Sequence, residues 1–194
     1  MKKLLLSILI ALTLASCIGP KASPVIMLFN LDGTSGGTGF YVKAKSGKTF
    51  IMTNRHICED GATYTRAGRL VKLTIVEISS ETDLCLLAPI ATAAAPLELG
   101  YEPRPHDQVT VSGYGYLLGE TITEGRFVGY LAAGVLGVKR PGYITATILP
   151  GNSGSPVLNS SGYLVGVVYA SSPAIDNRAL IVPLHQVYAF LAVY

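Results

Sequence analysis

From Pro24 onward the chain reads as short apolar or alternating runs separated by turn residues. In "VTVSGYGY" (Val109 to Tyr116) and "YITATI" (Tyr143 to Ile148) apolar side chains recur at every second position, the period of a strand with one buried face. Runs such as "VIMLFNL", "GTGFYVKA", "KTFIMTN", "ATYTRAG", "RLVKLTIVEIS", "DLCLLAPI", "TITEGRFVGYL", "SPVLN", "YLVGVVYA" and "RALIVPL" are rich in Val, Ile, Thr and Tyr and are bounded by turn formers. About twelve such runs predict an all-β barrel or sandwich. The closing "PLHQVYAFLAVY" differs: Val187, Phe190 and Leu191 fall at helical spacing, which predicts a short amphipathic helix from about Pro183. "ATAAAPLELGYEPRP", rich in Ala and Pro, reads as a linker between two halves.

The first residues follow another pattern. Lys2 and Lys3 precede an apolar run from Leu4 to Leu14 and then small residues, the anatomy of a bacterial export signal and too short for a comfortable membrane-spanning helix. The end of this leader, "LASC" (Leu14 to Cys17), resembles the lipobox of bacterial lipoproteins. That resemblance implies cleavage before Cys17 and a lipid on its acylated end. The expected boundaries are a signal at 1–16, a tether at 17–23 and a globular domain at 24–194. Its expected location is the cell envelope, the outer membrane if the host is Gram-negative. Without Lys2 and Lys3 the formal charge falls from +3 to +1. The remaining basic residues form no run, so nothing points to nucleic acid.

Chemistry concentrates in "LPGNSGSPV" (Leu149 to Val157), two serines among turn formers. A serine nucleophile needs a sharp bend, a base, a carboxylate to orient that base, and N–H donors for the oxyanion. Of the three histidines, His106 and His185 lie in a loop and in the predicted helix, whereas His56 ends the strand-like run "KTFIMTNRH". Among the acids, Glu59, Asp60 and Glu81 fall in polar stretches. Asp83 opens an apolar run, where a carboxylate is costly unless paired.

The order His56, Asp83, Ser153 resembles the trypsin/chymotrypsin-like serine peptidases, closest to their compact HtrA-like and glutamyl-endopeptidase-like bacterial branch. Four segments carry it: "GTGFYV", "IMTNRHIC", "VEISSETDLCLL" and "PGNSGSPVLNSSGYLVGVVYA". The resemblance implies two antiparallel six-stranded β-barrels, about 24–95 and 96–194, with the cleft between them. It implies Ser153 as nucleophile, His56 as base, Asp83 as its orienting acid, and the N–H groups of Gly151 and Ser153 as the oxyanion hole. It also places Thr147 and Val168 at the floor of the substrate pocket, where neither supplies a charge, so a neutral residue before the scissile bond is expected. No metal or organic cofactor is implied, and the partner is a protein or peptide substrate. Rival readings are a catalytically idle surface binding protein of the same fold and an acyl hydrolase or esterase. Cys58 and Cys85 each lie two residues beyond a proposed triad member. If His56 meets Asp83, these cysteines become neighbours, and an exported protein permits a Cys58–Cys85 disulfide.

Overall fold

The computed structural model describes residues 22–172 and 178–194. The expected leader, Cys17 and the tether as far as residue 21 lie outside the described residues. The N-terminal half contains β1 (Val25–Phe29), β2 (Gly36–Lys43), β3 (Thr49–Thr53), a one-turn helix α1 (Arg55–Cys58), β4 (Thr63–Arg66), β5 (Arg69–Lys72), β6 (Ile75–Ile78) and β7 (Cys85–Leu87). The C-terminal half contains β8 (Gln108–Gly113), a 3-10 turn at Gly115–Leu117, β9 (Thr121–Tyr130), β10 (Gly142–Thr147), β11 (Pro156–Asn159), β12 (Leu164–Ser172), β13 (Arg178–Pro183) and the closing helix α2 (Leu184–Leu191).

The all-β expectation holds, and the C-terminal half is a closed six-stranded barrel in the order β10-β13-β12-β11-β8-β9. The N-terminal half departs from the second closed barrel. It is a seven-stranded curled sheet, β5-β4-β1-β2-β3-β7-β6, whose edges do not pair. The long run "RLVKLTIVEIS" splits into β5 and β6 at opposite edges. Ala67 and Gly68, both at positive φ, turn β4 into β5, the backbone that a tight hairpin requires. All four residues of β5 are exposed, and Arg69 and Lys72 flank it with charge. Charge on an edge strand discourages further pairing.

Two-sided burial explains why so many strands read as unbroken apolar runs. In β7, Cys85 and Leu87 face the core of the N-terminal sheet with Leu28 and Ile51, while Leu86 faces the seam between the halves. In β13, Ala179 and Ile181 fill the barrel while Leu180 and Val182 face the same seam. Helix α2 closes the seam with Leu184, Val187, Phe190 and Leu191. The linker reinforces it: Leu97 bonds the backbones of Tyr41 and Lys43, and Gly100 N–H donates to the Leu164 carbonyl. Two halves sharing one apolar layer cannot move independently without exposing it.

Cys58 on α1 and Cys85 on β7 form a disulfide, both fully buried. It closes 27 residues of chain, for which the chain-entropy model gives about 3–4 kcal/mol of stabilisation. Cys58→Ala with Cys85→Ala is expected to lower the unfolding free energy by about that amount in urea titrations.

Candidate active site

The Leu149–Ser155 loop connects β10 to β11 and is held at nearly every peptide. Leu149 N–H donates to Asn152 Oδ1 at 2.8 Å and Asn152 N–H returns to the Leu149 carbonyl at 2.9 Å. Gly154 N–H donates to the Val168 carbonyl and Val168 N–H to the Ser155 carbonyl, which fastens the loop to β12. Gly151 has φ +97°, and a Cβ there would overlap the Tyr114 carbonyl. The site therefore demands glycine on both counts. Among the described residues the N–H groups of Gly151 and Ser153 meet no acceptor, whereas those of Leu149, Asn152, Gly154 and Ser155 are all engaged. Free N–H groups alternating with satisfied ones at a left-handed glycine form a concavity suited to an anion.

One threonine ties this loop to the other half. Thr38 on β2 donates its N–H to the Ser153 carbonyl at 2.8 Å and its hydroxyl to the Gly151 carbonyl at 2.8 Å. The same hydroxyl accepts from Tyr114 N–H at 3.0 Å, and the Thr38 carbonyl accepts from the Thr53 hydroxyl at 2.7 Å. Beside it, Gly37 leaves room for close approach. A Cβ at Gly37 would lie 2.7 Å from the Ser153 carbonyl oxygen and 2.8 Å from the Ile57 side chain. The serine loop thus lies against the segment that carries His56.

Register brings His56 to Asp83. Thr53 at the end of β3 pairs with Cys85 at the start of β7, so the chain leaving β3 and the chain entering β7 emerge side by side. His56 does not end the strand as expected from sequence: β3 stops at Thr53, three residues earlier, and His56 sits on α1. Its Nδ1 lies 2.8 Å from Asp83 Oδ2, and its N–H donates to Asp83 Oδ1 at 3.1 Å. The Asp83 side chain is 6% exposed and the imidazole 42%. One edge of the ring is thus held on a buried carboxylate while much of the rest stays accessible. Asn54, buried, does not cap α1 but donates its amide to the Asp83 carbonyl at 2.9 Å.

Residues 37–167, more than half of the chain, match the model of the trypsin-like peptidase domain. The chain belongs to the trypsin-like peptidase family. It is 33% identical over 126 residues to the serine endoprotease DegS of Salmonella typhimurium, covering 61% of this chain and 35% of that protein. It is 30% identical over 183 residues to the chloroplastic protease Do-like 2 of Arabidopsis thaliana, covering 83% and 28%. It thus spans about a third of the length of the curated relatives it matches. Among solved structures, the HtrA-type protease AlgW with a tripeptide superposes with TM-score 0.72 at 23% identity, over 86% of this chain and 58% of that one. The active form of the Rv3671c protease from M. tuberculosis gives 0.71 at 22% identity, over 89% and 88%. These structural likenesses concern the fold.

Thr147 is exposed on β10, paired with Arg178 of β13. Val168 is fully buried in the barrel cluster with Ile144 and Ile181. His106 lies in a loop at φ +76°. His185 makes a second imidazole–carboxylate pair, 2.9 Å from Glu102 Oε1, and the same oxygen accepts from His185 N–H at the start of α2. Among the described residues no group of three or more His, Cys, Asp and Glu side chains is gathered as for a metal ion. Thr38, Asn54 and Tyr169 were not legible as site residues. Thr38 and Asn54 stood inside quoted motifs with no chemistry of their own to single them out. Tyr169 on β12 is buried and donates its hydroxyl to the Val135 carbonyl. Burial, then the nearby Asp83 charge, push its pKa well above that of free tyrosine.

Thr38→Val removes the hydroxyl that serves both Tyr114 N–H and the Gly151 carbonyl. Leaving these groups unpaired is expected to cost about 2–4 kcal/mol, with Thr38→Ser near the parent protein in chemical unfolding. Gly151→Ala is expected to be worse, since no relaxation of one side chain relieves a clash with backbone.

Proposed function

We propose that this chain is a serine endopeptidase that cleaves peptide bonds through Ser153, His56 and Asp83. The observation that carries the reading is the His56–Asp83 hydrogen bond of 2.8 Å, made on the segment that abuts the serine loop. In this reading Asp83 fixes the imidazole tautomer through Nδ1. The opposite ring nitrogen takes the Ser153 proton as Oγ attacks the scissile carbonyl, and delivers it to the leaving amine. The N–H groups of Gly151 and Ser153 receive the oxyanion. Water then repeats the sequence on the acyl-enzyme. Similarity to the serine endoprotease DegS and to the protease Do-like 2 supports the peptide-bond specificity.

Asn152 bears on activation. Its side chain closes the turn on Leu149 N–H, and its amide lies 3.5 Å from the Ser155 hydroxyl. Where animal trypsins carry an aspartate that pairs with a freed N-terminal amine, this chain carries Asn152, which holds the loop from within, so the reading needs no such ion pair. The same reading keeps Cys17 as a lipidated residue, the chain as an envelope protein, and a neutral residue before the scissile bond.

A fluorophosphonate probe is expected to label the parent protein and to leave Ser153→Ala unlabelled. Asp83→Asn is expected to reduce kcat about 10⁴-fold with the fold intact. An unlabelled parent protein would favour the idle binding module. Labelling together with turnover of esters and of no peptide would favour the acyl hydrolase.

A further inference from the structure

The β8–β9 hairpin carries a feature that the chemistry above does not use. Within seven residues it exposes Tyr116 (59%), Leu118 (85%) and Ile122 (69%). Tyr116 and Leu117 both adopt positive φ, 54° and 56°, a conformation that bulky side chains rarely occupy. Their backbone is held there from below: Tyr116 N–H donates to the Pro150 carbonyl at 2.6 Å and Leu117 N–H to the Tyr114 carbonyl. The loop is thus a fixed projection.

The start of the described chain meets this same hairpin. Ser23 donates its hydroxyl to Glu120 Oε1 at 2.8 Å, and Ser112 donates to the same oxygen. Ser112 pairs with Ile122 across the hairpin. The tether therefore reaches the body beside Glu120, between Leu118 and Ile122 in sequence. From Cys17 to Ser23 there are only six residue steps, which span at most about 20 Å fully extended. A lipid on Cys17 would hold this hairpin within that distance of the bilayer.

We propose that Tyr116, Leu118 and Ile122 form a lipid-contacting patch that inserts its side chains into the interface of the membrane to which Cys17 is anchored. The inference rests on the anchored reading of Cys17. The patch has few side chains, and without basic residues in the hairpin from Ser112 to Ile122 it gains nothing from anionic headgroups. It is built to be effective only when anchoring supplies the local concentration. Insertion would also orient the molecule, because the same loop braces Pro150 beside Gly151. The mouth of the proposed cleft would then lie close to the membrane surface.

The chain has no tryptophan, so a single introduced indole reports position. Leu118→Trp is placed in the chain beginning at Cys17. Leu136→Trp serves as control, on another open apolar residue (72% exposed) beyond the far end of β9. Cys58 and Cys85 are joined, so Cys17 alone couples to a maleimide lipid in phosphatidylcholine vesicles whose acyl chains are brominated. The fluorescence of the Leu118→Trp protein is expected to shift to the blue and to be quenched severalfold more than that of the Leu136→Trp control. Equal quenching in the two variants, or none in Leu118→Trp, overturns the patch. So does an unshifted Leu118→Trp spectrum together with a raised KM of Leu118→Asp for a soluble peptide, which would assign the loop to substrate. The mass of the N-terminal peptide from cells tests the anchor separately. An unmodified Cys17 removes the anchor, and with it the basis of the patch, whatever the coupled protein shows.

Discussion

The Thr38 side chain is the point at which the two halves are held to a single geometry. It stands on β2 of the N-terminal sheet, yet its N–H and hydroxyl bind the carbonyls of Ser153 and Gly151 in the loop after the barrel strand β10. Fixing those two carbonyls fixes the peptide planes around them, so the free N–H groups of Gly151 and Ser153 keep their direction. The constraint costs little here because Thr38 is fully buried and its oxygen serves a donor and an acceptor at once. Apolar burial brings the halves together without direction; hydrogen bonds of this kind select one alignment.

A hierarchy of rigidity follows. The barrel is closed, and β12 bonds the serine loop directly. The N-terminal sheet is open, and Asp83 lies in the connection from its edge strand β6 to β7. Strand β3 is interior, β7 lies between β3 and β6, and the disulfide ties α1 back to β7. The exposed strand β5 lies at the opposite edge of the sheet. The interior strand β3 and the disulfide thus hold the segment carrying His56 from two sides.

Charge is distributed with the same economy. Asp83 is buried but makes two hydrogen bonds to His56, one to the ring and one to the backbone, which answers the cost of removing a carboxylate from water. The pair at His185 and Glu102 has similar distances yet a different setting. It stands more open to solvent, and its backbone bond places the carboxylate at the start of α2. An imidazole beside a carboxylate is thus a common arrangement; the neighbouring serine loop is what distinguishes His56.

The sequence by itself determined the strand content, the closing helix, the location of the linker and the motifs around His56, Asp83 and Ser153. Each of these is written in local periodicity or in residue types adjacent along the chain. Tertiary structure alone decided that the N-terminal half stays an open seven-stranded sheet, because edge pairing depends on how far the sheet curls and not on the pattern of any one strand. It alone decided which face of each unbroken apolar run meets the seam, since runs buried on both sides carry no alternation to read. It alone revealed Thr38 and Asn54. Their side chains are chemically ordinary, and their importance comes from partners 113 and 29 residues away that only folding brings within hydrogen-bond reach.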